Sequence, residues 1–137
     1  MVIFAGMAVS AEHLEKVPLL AGLSRRELSG LAKQMRERKL PEGRQVVVQG
    51  EQGVGFFVIL SGEAEVTVDG EARRTLGPGD YFGEVALLTP EAVRTATVTA
   101  ASELEVAGLT SWQFRPLVLE QPEMAWTLLR TMAAQVG

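Results

Sequence analysis

Leu28, Leu31, Ala32 and Met35 recur at i, i+3, i+4 and i+7, the spacing that lines one face of an α-helix over residues 24–35. Ser24 followed three residues later by Glu27 is a capping box and marks where that helix starts. Upstream, residues 11–20 carry a shorter helix that Pro18 interrupts, because proline is tolerated only in a first helical turn. From Glu37 to Leu109 the pattern changes to short β-branched and aromatic runs punctuated by glycine: 45–49, 55–60, 64–68, 73–76, 94–100 and 103–109. These runs predict strands. Asp69-Gly70 between two of them signals a tight hairpin, since a type I′ turn needs positive φ at both central positions. After Leu109 the helical period returns. Thr110 with Gln113 forms a second capping box, Phe114, Leu117 and Val118 share a face, and Trp112 is expected to anchor in the core beside Phe114. Pro122 opens a last helix whose inward face is expected to be Ala125, Leu128, Leu129 and Met132, with Trp126 off that face.

The expected architecture is α+β: a small antiparallel β-barrel, a jelly-roll-like double-stranded β-helix, flanked by N-terminal and C-terminal helices. Helices are expected over 11–35, the barrel over 37–109, and further helices over 110–119 and 122–136. At 137 residues, 47% of them hydrophobic, the chain reads as a single domain, 1–137, around one core.

Charge and composition then narrow the chemistry. Thirteen Lys plus Arg against 17 Asp plus Glu give a net charge of -4, which argues against direct binding of nucleic acid by bulk charge. The absence of cysteine excludes disulfides, thiolate nucleophiles and cysteine-ligated metals and points to the cytoplasm. The apolar opening, residues 1–9, is too short to span a bilayer and lacks the basic start of a secretion signal; it reads as an arm. His13 is the one histidine and precedes the barrel, so neither a cupin-type metal site nor a Ser-His-Asp nucleophile is feasible and no enzyme is expected.

One stretch, residues 81–96, departs from the regular pattern. A strand ends at Phe82, Gly83 permits close backbone approach, and Glu84 to Leu88 can form about one helical turn before Pro90. The first amides of such a turn, near Gly83, Glu84, Val85 and Ala86, can meet a phosphate oxygen. Arg94, expected to enter the next strand, brings a guanidinium suited to bidentate grip on that phosphate. Glu84 is a poor phosphate partner but a good acceptor for a sugar hydroxyl. The pair suits a ligand with a phosphate at one edge and a hydroxyl close by, and a 3′,5′-cyclic nucleotide has both. Glu91, close to Arg94, is the competitor for that guanidinium, and an Arg94–Glu84 salt bridge is the purely structural alternative.

With Phe82-Gly83-Glu84-Val85-Ala86-Leu87 and Arg94-Thr95-Ala96 go Pro41-Glu42-Gly43, Gln49-Gly50-Glu51, Ile59-Leu60-Ser61-Gly62 and Gly77-Pro78-Gly79-Asp80. Taken together these resemble the cyclic-nucleotide-binding domain family, of the type found in catabolite activator proteins, protein kinase A regulatory subunits and cyclic-nucleotide-gated channels. The resemblance covers almost the whole chain. It implies a ligand, cAMP rather than cGMP, and no cofactor; a ribose contact for Glu84, a phosphate contact for Arg94, and backbone contacts at Gly83 and Ala86 within the segment 82–96. It implies a phosphate or guanine contact for Thr95 and a purine-facing role, or plain barrel filling, for Val47, Val66 and Leu76. A residue near Trp126 closes over the purine in such domains, which makes Trp126 the candidate lid; packing in the core or in a dimer is the alternative. Val54 and Gly55 depart from the family, where an acidic residue is common in that turn. Asp80 is expected to cap its own turn.

The resemblance further implies a regulatory module that passes binding through its C-terminal helices to an unidentified effector protein or domain, with the last helix a candidate for pairing two chains. The alternative is an interaction module that keeps the fold without the ligand. A transcription factor would need a helix-turn-helix after the last helix, for which residues up to Gly137 leave no room, so direct DNA contact is not expected.

Overall fold

The structure is a computed structural model that describes residues 9–89 and 91–136. The expectations for the apolar opening up to residue 8, for Pro90 and for Gly137 lie outside the described residues.

Ser10 caps the short helix α1 (Ala11–Glu15): its hydroxyl accepts from the His13 amide, and the His13 ring in turn accepts from the Ser10 amide at 3.1 Å. His13, read from sequence without a role, is thus half of a capping box. Pro18 breaks the helix as expected, leaving a 3₁₀ turn at Pro18–Leu20. Helix α2 (Arg25–Gln34) carries the predicted Ser24–Glu27 box and buries Leu28, Leu31 and Ala32.

Eight strands follow: β1 (Arg36–Leu40), β2 (Gln45–Val47), β3 (Gly55–Ser61), β4 (Ala64–Val68), β5 (Glu71–Leu76), β6 (Tyr81–Phe82), β7 (Thr97–Ala100) and β8 (Leu104–Thr110). They form two antiparallel four-stranded sheets, β1-β8-β3-β6 and β2-β7-β4-β5. The α+β jelly-roll expectation holds, with the sheets facing each other instead of closing into one hydrogen-bonded cylinder. Strand β1 was not anticipated. Four charged residues in five conceal it, and as an edge strand it needs burial only at Leu40.

Strand β3 explains its own continuous apolar run. Phe56 and Val58 face the helices, while Phe57 and Ile59 face the opposite sheet, so both faces are buried. Each such side chain taken out of water is worth about 1.5–3 kcal/mol. Leu104 and Val106 of β8 join the inter-sheet core, and Ala107 and Leu109 the helix-side core. The Asp69-Gly70 turn has φ of +54° and +81°, as the hairpin requires.

Helix α3 (Glu84–Leu88) lies between β6 and β7, and α4 (Ser111–Glu120) and α5 (Pro122–Val136) close the chain. The Thr110 amide donates to Gln113 Oε1 at 3.0 Å, completing the expected box. Phe114 is buried, but Trp112 is 64% exposed, a correction: helical spacing beside Phe114 does not put both aromatics on one face, since i and i+2 diverge. On α5, among the described side chains, Met124 is buried, Ala125 half-buried and Leu129 exposed, so Leu129 leaves the expected inward stripe and Met124 joins it; the side chains of Leu128 and Met132 lie outside the described residues. Helix α5 packs on the 3₁₀ turn and on α4, which orients it by Met124.

Candidate functional site

A cavity of about 120 Å³ opens where β2, β4, β5 and β7 meet the segment 82–96. Val47, Val66, Phe82, Gly83, Glu84, Val85, Ala86, Arg94 and Thr95, nine of the residues expected at the site, line it. Leu76 does not: it is buried in the inter-sheet core and is not part of the cavity wall. Neither does Trp126, which is 59% exposed on α5 and so belongs neither to the lining nor to the core. Arg74, Ala92, Val93, Ala96 and Val98 line it as well and had been given no individual site role. Arg74 reaches the cavity because it stands opposite Val66 in the β4–β5 pair, two residues before Leu76 on the same face.

The local chain path follows from a few bonds. Strand β6 pairs with β3, placing Phe82 against Phe57 with ring centroids 5.3 Å apart. Gly83 then turns the chain with φ +85°, and a Cβ there would stand 2.5 Å from the Gly55 carbonyl oxygen and 3.1 Å from Arg94 Nη1. The close approach that Gly83 permits is therefore to β3 and to Arg94. The Ala86 amide, expected to face a phosphate, donates to the Gly83 carbonyl at 3.0 Å. The amides of Glu84 and Val85, first in α3, precede any acceptor within the helix.

Arg94 is not in β7, which begins at Thr97; this corrects the expected strand 94–100. Its backbone pairs instead with the 50–51 turn: the Arg94 amide donates to the Glu51 carbonyl and the Gly50 amide to the Arg94 carbonyl, both at 2.8 Å. Gln52 assists, its Nε2 donating to the Glu91 carbonyl at 3.1 Å. The main chain of Gly50 and Glu51 thus positions the cation, with the Gln52 side chain holding the segment before it. The Arg94 guanidinium is half-buried, donates from Nη2 to the Gly55 carbonyl at 2.9 Å, and has its pKa lowered by burial. Gly53 makes the room: a Cβ there would meet Arg94 Nε and Nη2 at 2.8 Å.

Among the described residues neither Glu84 nor Glu91 forms an ion pair with Arg94, so both structural competitors are absent. Glu84 is half-buried at the cavity wall and Thr95 exposed at its rim. Asp80 caps its own turn, accepting from the Gly77 amide at 2.8 Å. Among the described residues no three His, Asp or Glu side chains converge on a metal position. Likewise among the described residues, no helix is long and apolar enough to cross a membrane.

The cavity thus joins apolar walls to a half-buried cation that has no ion-pair partner among the described residues and to a carboxylate. The description "Cyclic nucleotide-binding domain" matches residues 37–121, and the chain belongs to that family. The cAMP-dependent protein kinase regulatory subunit of Yarrowia lipolytica is 44% identical over 77% of this chain, which spans 28% of that protein. The Thermus thermophilus catabolite activator protein superposes with a TM-score of 0.79 at 28% identity, covering 87% of this chain and 58% of that one. The cAMP-bound PfPKA-R superposes with a TM-score of 0.74 at 26% identity, over 88% and 45%. This chain therefore spans about a quarter of the length of the regulatory subunits it matches.

Proposed function

We propose that residues 1–137 act as one unit that binds a 3′,5′-cyclic nucleoside monophosphate, cAMP in preference to cGMP, in the cavity around Arg94, and that the unit regulates a partner and catalyses nothing. One observation carries this reading: Arg94 is a half-buried cation with no anionic partner among the described residues, held in place by main-chain bonds at 2.8 Å. A cation in that state favours an incoming anion, because part of its desolvation has already been met in folding. Arg94 takes the cyclic phosphate, with the Glu84 and Val85 amides and the Gly83 turn beside it, in place of the engaged Ala86 amide. Glu84 accepts from the ribose 2′-hydroxyl. Val47, Val66 and Val98 form apolar walls for the purine, Thr95 lies at the phosphate edge, and Arg74 reaches the base or solvent side. The names of relatives, which specify cAMP, support the preference for cAMP.

The cavity, at about 120 Å³, is below the roughly 300 Å³ at the small end of ligand sites. A nucleotide must extend through the open side or displace α3. Helix α3 touches α4, α4 touches α5, and α5 touches the 3₁₀ turn, so displacement of α3 has a packed route to the C-terminal helices and from them to an effector. The ligand drives this only by preferring one helix arrangement over the other.

Calorimetric titration with cAMP and with cGMP tests the reading. Saturable heat with cAMP, weaker with cGMP, is expected. No heat and no thermal shift with either at millimolar concentration would leave an interaction module with the same fold.

A further inference from the structure

A second cavity lies at the open end of the sandwich, between β1, β8 and the start of α4. It is a groove of about 630 Å³ with Lys33, Arg36 and Arg38 along it and Trp112 at its edge. The three cations are exposed, and among the described residues none is in an ion pair. On a chain whose net charge is -4 this is a local concentration of unneutralised positive charge. The floor is apolar: the Phe57 ring lies so close to Gly55 and Gly108 that a Cβ at either would come within 2.7 and 3.1 Å of it. The far wall is fixed, because Gln113 Nε2 donates to the Gln34 carbonyl at 3.0 Å and ties α4 to the end of α2.

Edge-strand charges that discourage sheet-to-sheet association, with Lys33 at a helix C-terminus, account for the cations singly. They do not account for Trp112 left 64% exposed beside them over an aromatic floor. Trp and Arg together are the side chains that dominate binding interfaces. We propose that this groove is a docking site for an acidic peptide segment with an apolar or aromatic side chain at its centre. Carboxylates meet Lys33, Arg36 and Arg38, and the central side chain lies on Phe57 against Trp112. The groove's residues are distinct from those proposed above to hold phosphate and sugar, so the two readings stand or fall separately.

The probe is a short fluorescein-labelled peptide with a Leu-Phe centre flanked on both sides by Asp and Glu, followed by anisotropy on the whole chain. Its Lys-for-acid analogue and a short thymidine oligonucleotide serve as controls. Saturable binding of the acidic peptide alone is expected, weakened more than about tenfold by Arg36→Glu with Arg38→Glu, and strongly by raising salt from about 0.1 to about 0.5 M. In a Trp126→Phe background the Trp112 emission should shift to shorter wavelength as peptide is added. Thermal unfolding checks the variants; should the charge reversal unfold the chain, Arg36→Gln with Arg38→Gln and Trp112→Ala carry the same expectation of weakened binding. No saturable binding, undiminished binding to the folded variants, or tighter binding of the oligonucleotide overturns the proposal.

Discussion

Gly55 bonds Arg94 and lines the groove that carries Lys33, Arg36 and Arg38, and the two groups of cations are held in opposite ways. Arg94 is half-buried, fixed through its backbone by the 50–51 turn and through its guanidinium by the Gly55 carbonyl. Lys33, Arg36 and Arg38 are exposed and unpaired among the described residues. Burial makes a charge selective: a desolvated guanidinium in a small cavity rewards one anion of the right shape. Exposure makes a charge permissive, with long reach and strong sensitivity to salt. The largest expected effect separates the two. Arg94→Ala should cost about 2–5 kcal/mol of cAMP binding, a rise in Kd of about 30-fold or more by calorimetry. Arg36→Gln with Arg38→Gln should leave that Kd unchanged; the opposite pattern would remove the contrast.

The glycines around Arg94 sharpen it. At Gly83 a side chain meets both positive φ and the Gly55 carbonyl at 2.5 Å, so Gly83→Ala should destabilise the fold by about 2–4 kcal/mol, read as a fall in Tm. At Gly53 the three nearest atoms to a Cβ all belong to the Arg94 side chain, from 2.8 Å away, and the backbone is outside the left-handed region. Gly53→Ala should therefore spare Tm and weaken cAMP by displacing the guanidinium. Equal losses of Tm in the two variants would count against the reading of Gly53 as room made for Arg94.

Glu84→Ala should have a smaller effect, about 1.5–3 kcal/mol, since it removes a hydrogen bond and leaves the phosphate its cation. The telling measurement is the ratio of Kd values for 2′-deoxy-cAMP and cAMP, which should fall toward one. An unchanged ratio would move the sugar contact elsewhere.

Much of the site was legible because it is local in sequence. Gly83, Glu84 and Val85 lie within three residues of each other, and Arg94 ten beyond Glu84, so motif and spacing place them together. What sequence could not show depends on register. Strand β5 meets β4 across a bulge between Val66 and Thr67, and only that pairing sets Arg74 opposite Val66 and at the cavity. Leu76 shares the face and the inter-sheet core with Val66 but stays off the cavity wall, a difference that alternation does not encode. Trp112 and Leu129 followed helical spacing, but which stripe faces inward was set by Phe114 and Met124 meeting the helix-side core. β1 was hidden by its charge, and with it the groove.

The smallest expected effect lies on the other face of β1. Glu37 has a buried Oε2 without a hydrogen-bond partner, and its pKa is raised, first by burial and then by the nearby Glu105, with His13 and Lys39 acting in the opposite sense. In the unfolded chain the same carboxyl titrates in the ordinary carboxylate range. Between that range and the raised folded value, the folded chain holds more protons than the unfolded one, so stability falls as pH rises through the window. Above the window the cost is fully present, and below it the cost vanishes. Glu37→Gln removes the ionisation and should raise Tm slightly at neutral pH, with no gain at pH about 3, below the ordinary carboxylate range. Scanning calorimetry at the two pH values reads the difference directly. A lower Tm at neutral pH would mean that the attraction of His13 and Lys39 outweighs burial and Glu105, and that the exposed rule of β1's cations governs this carboxylate too.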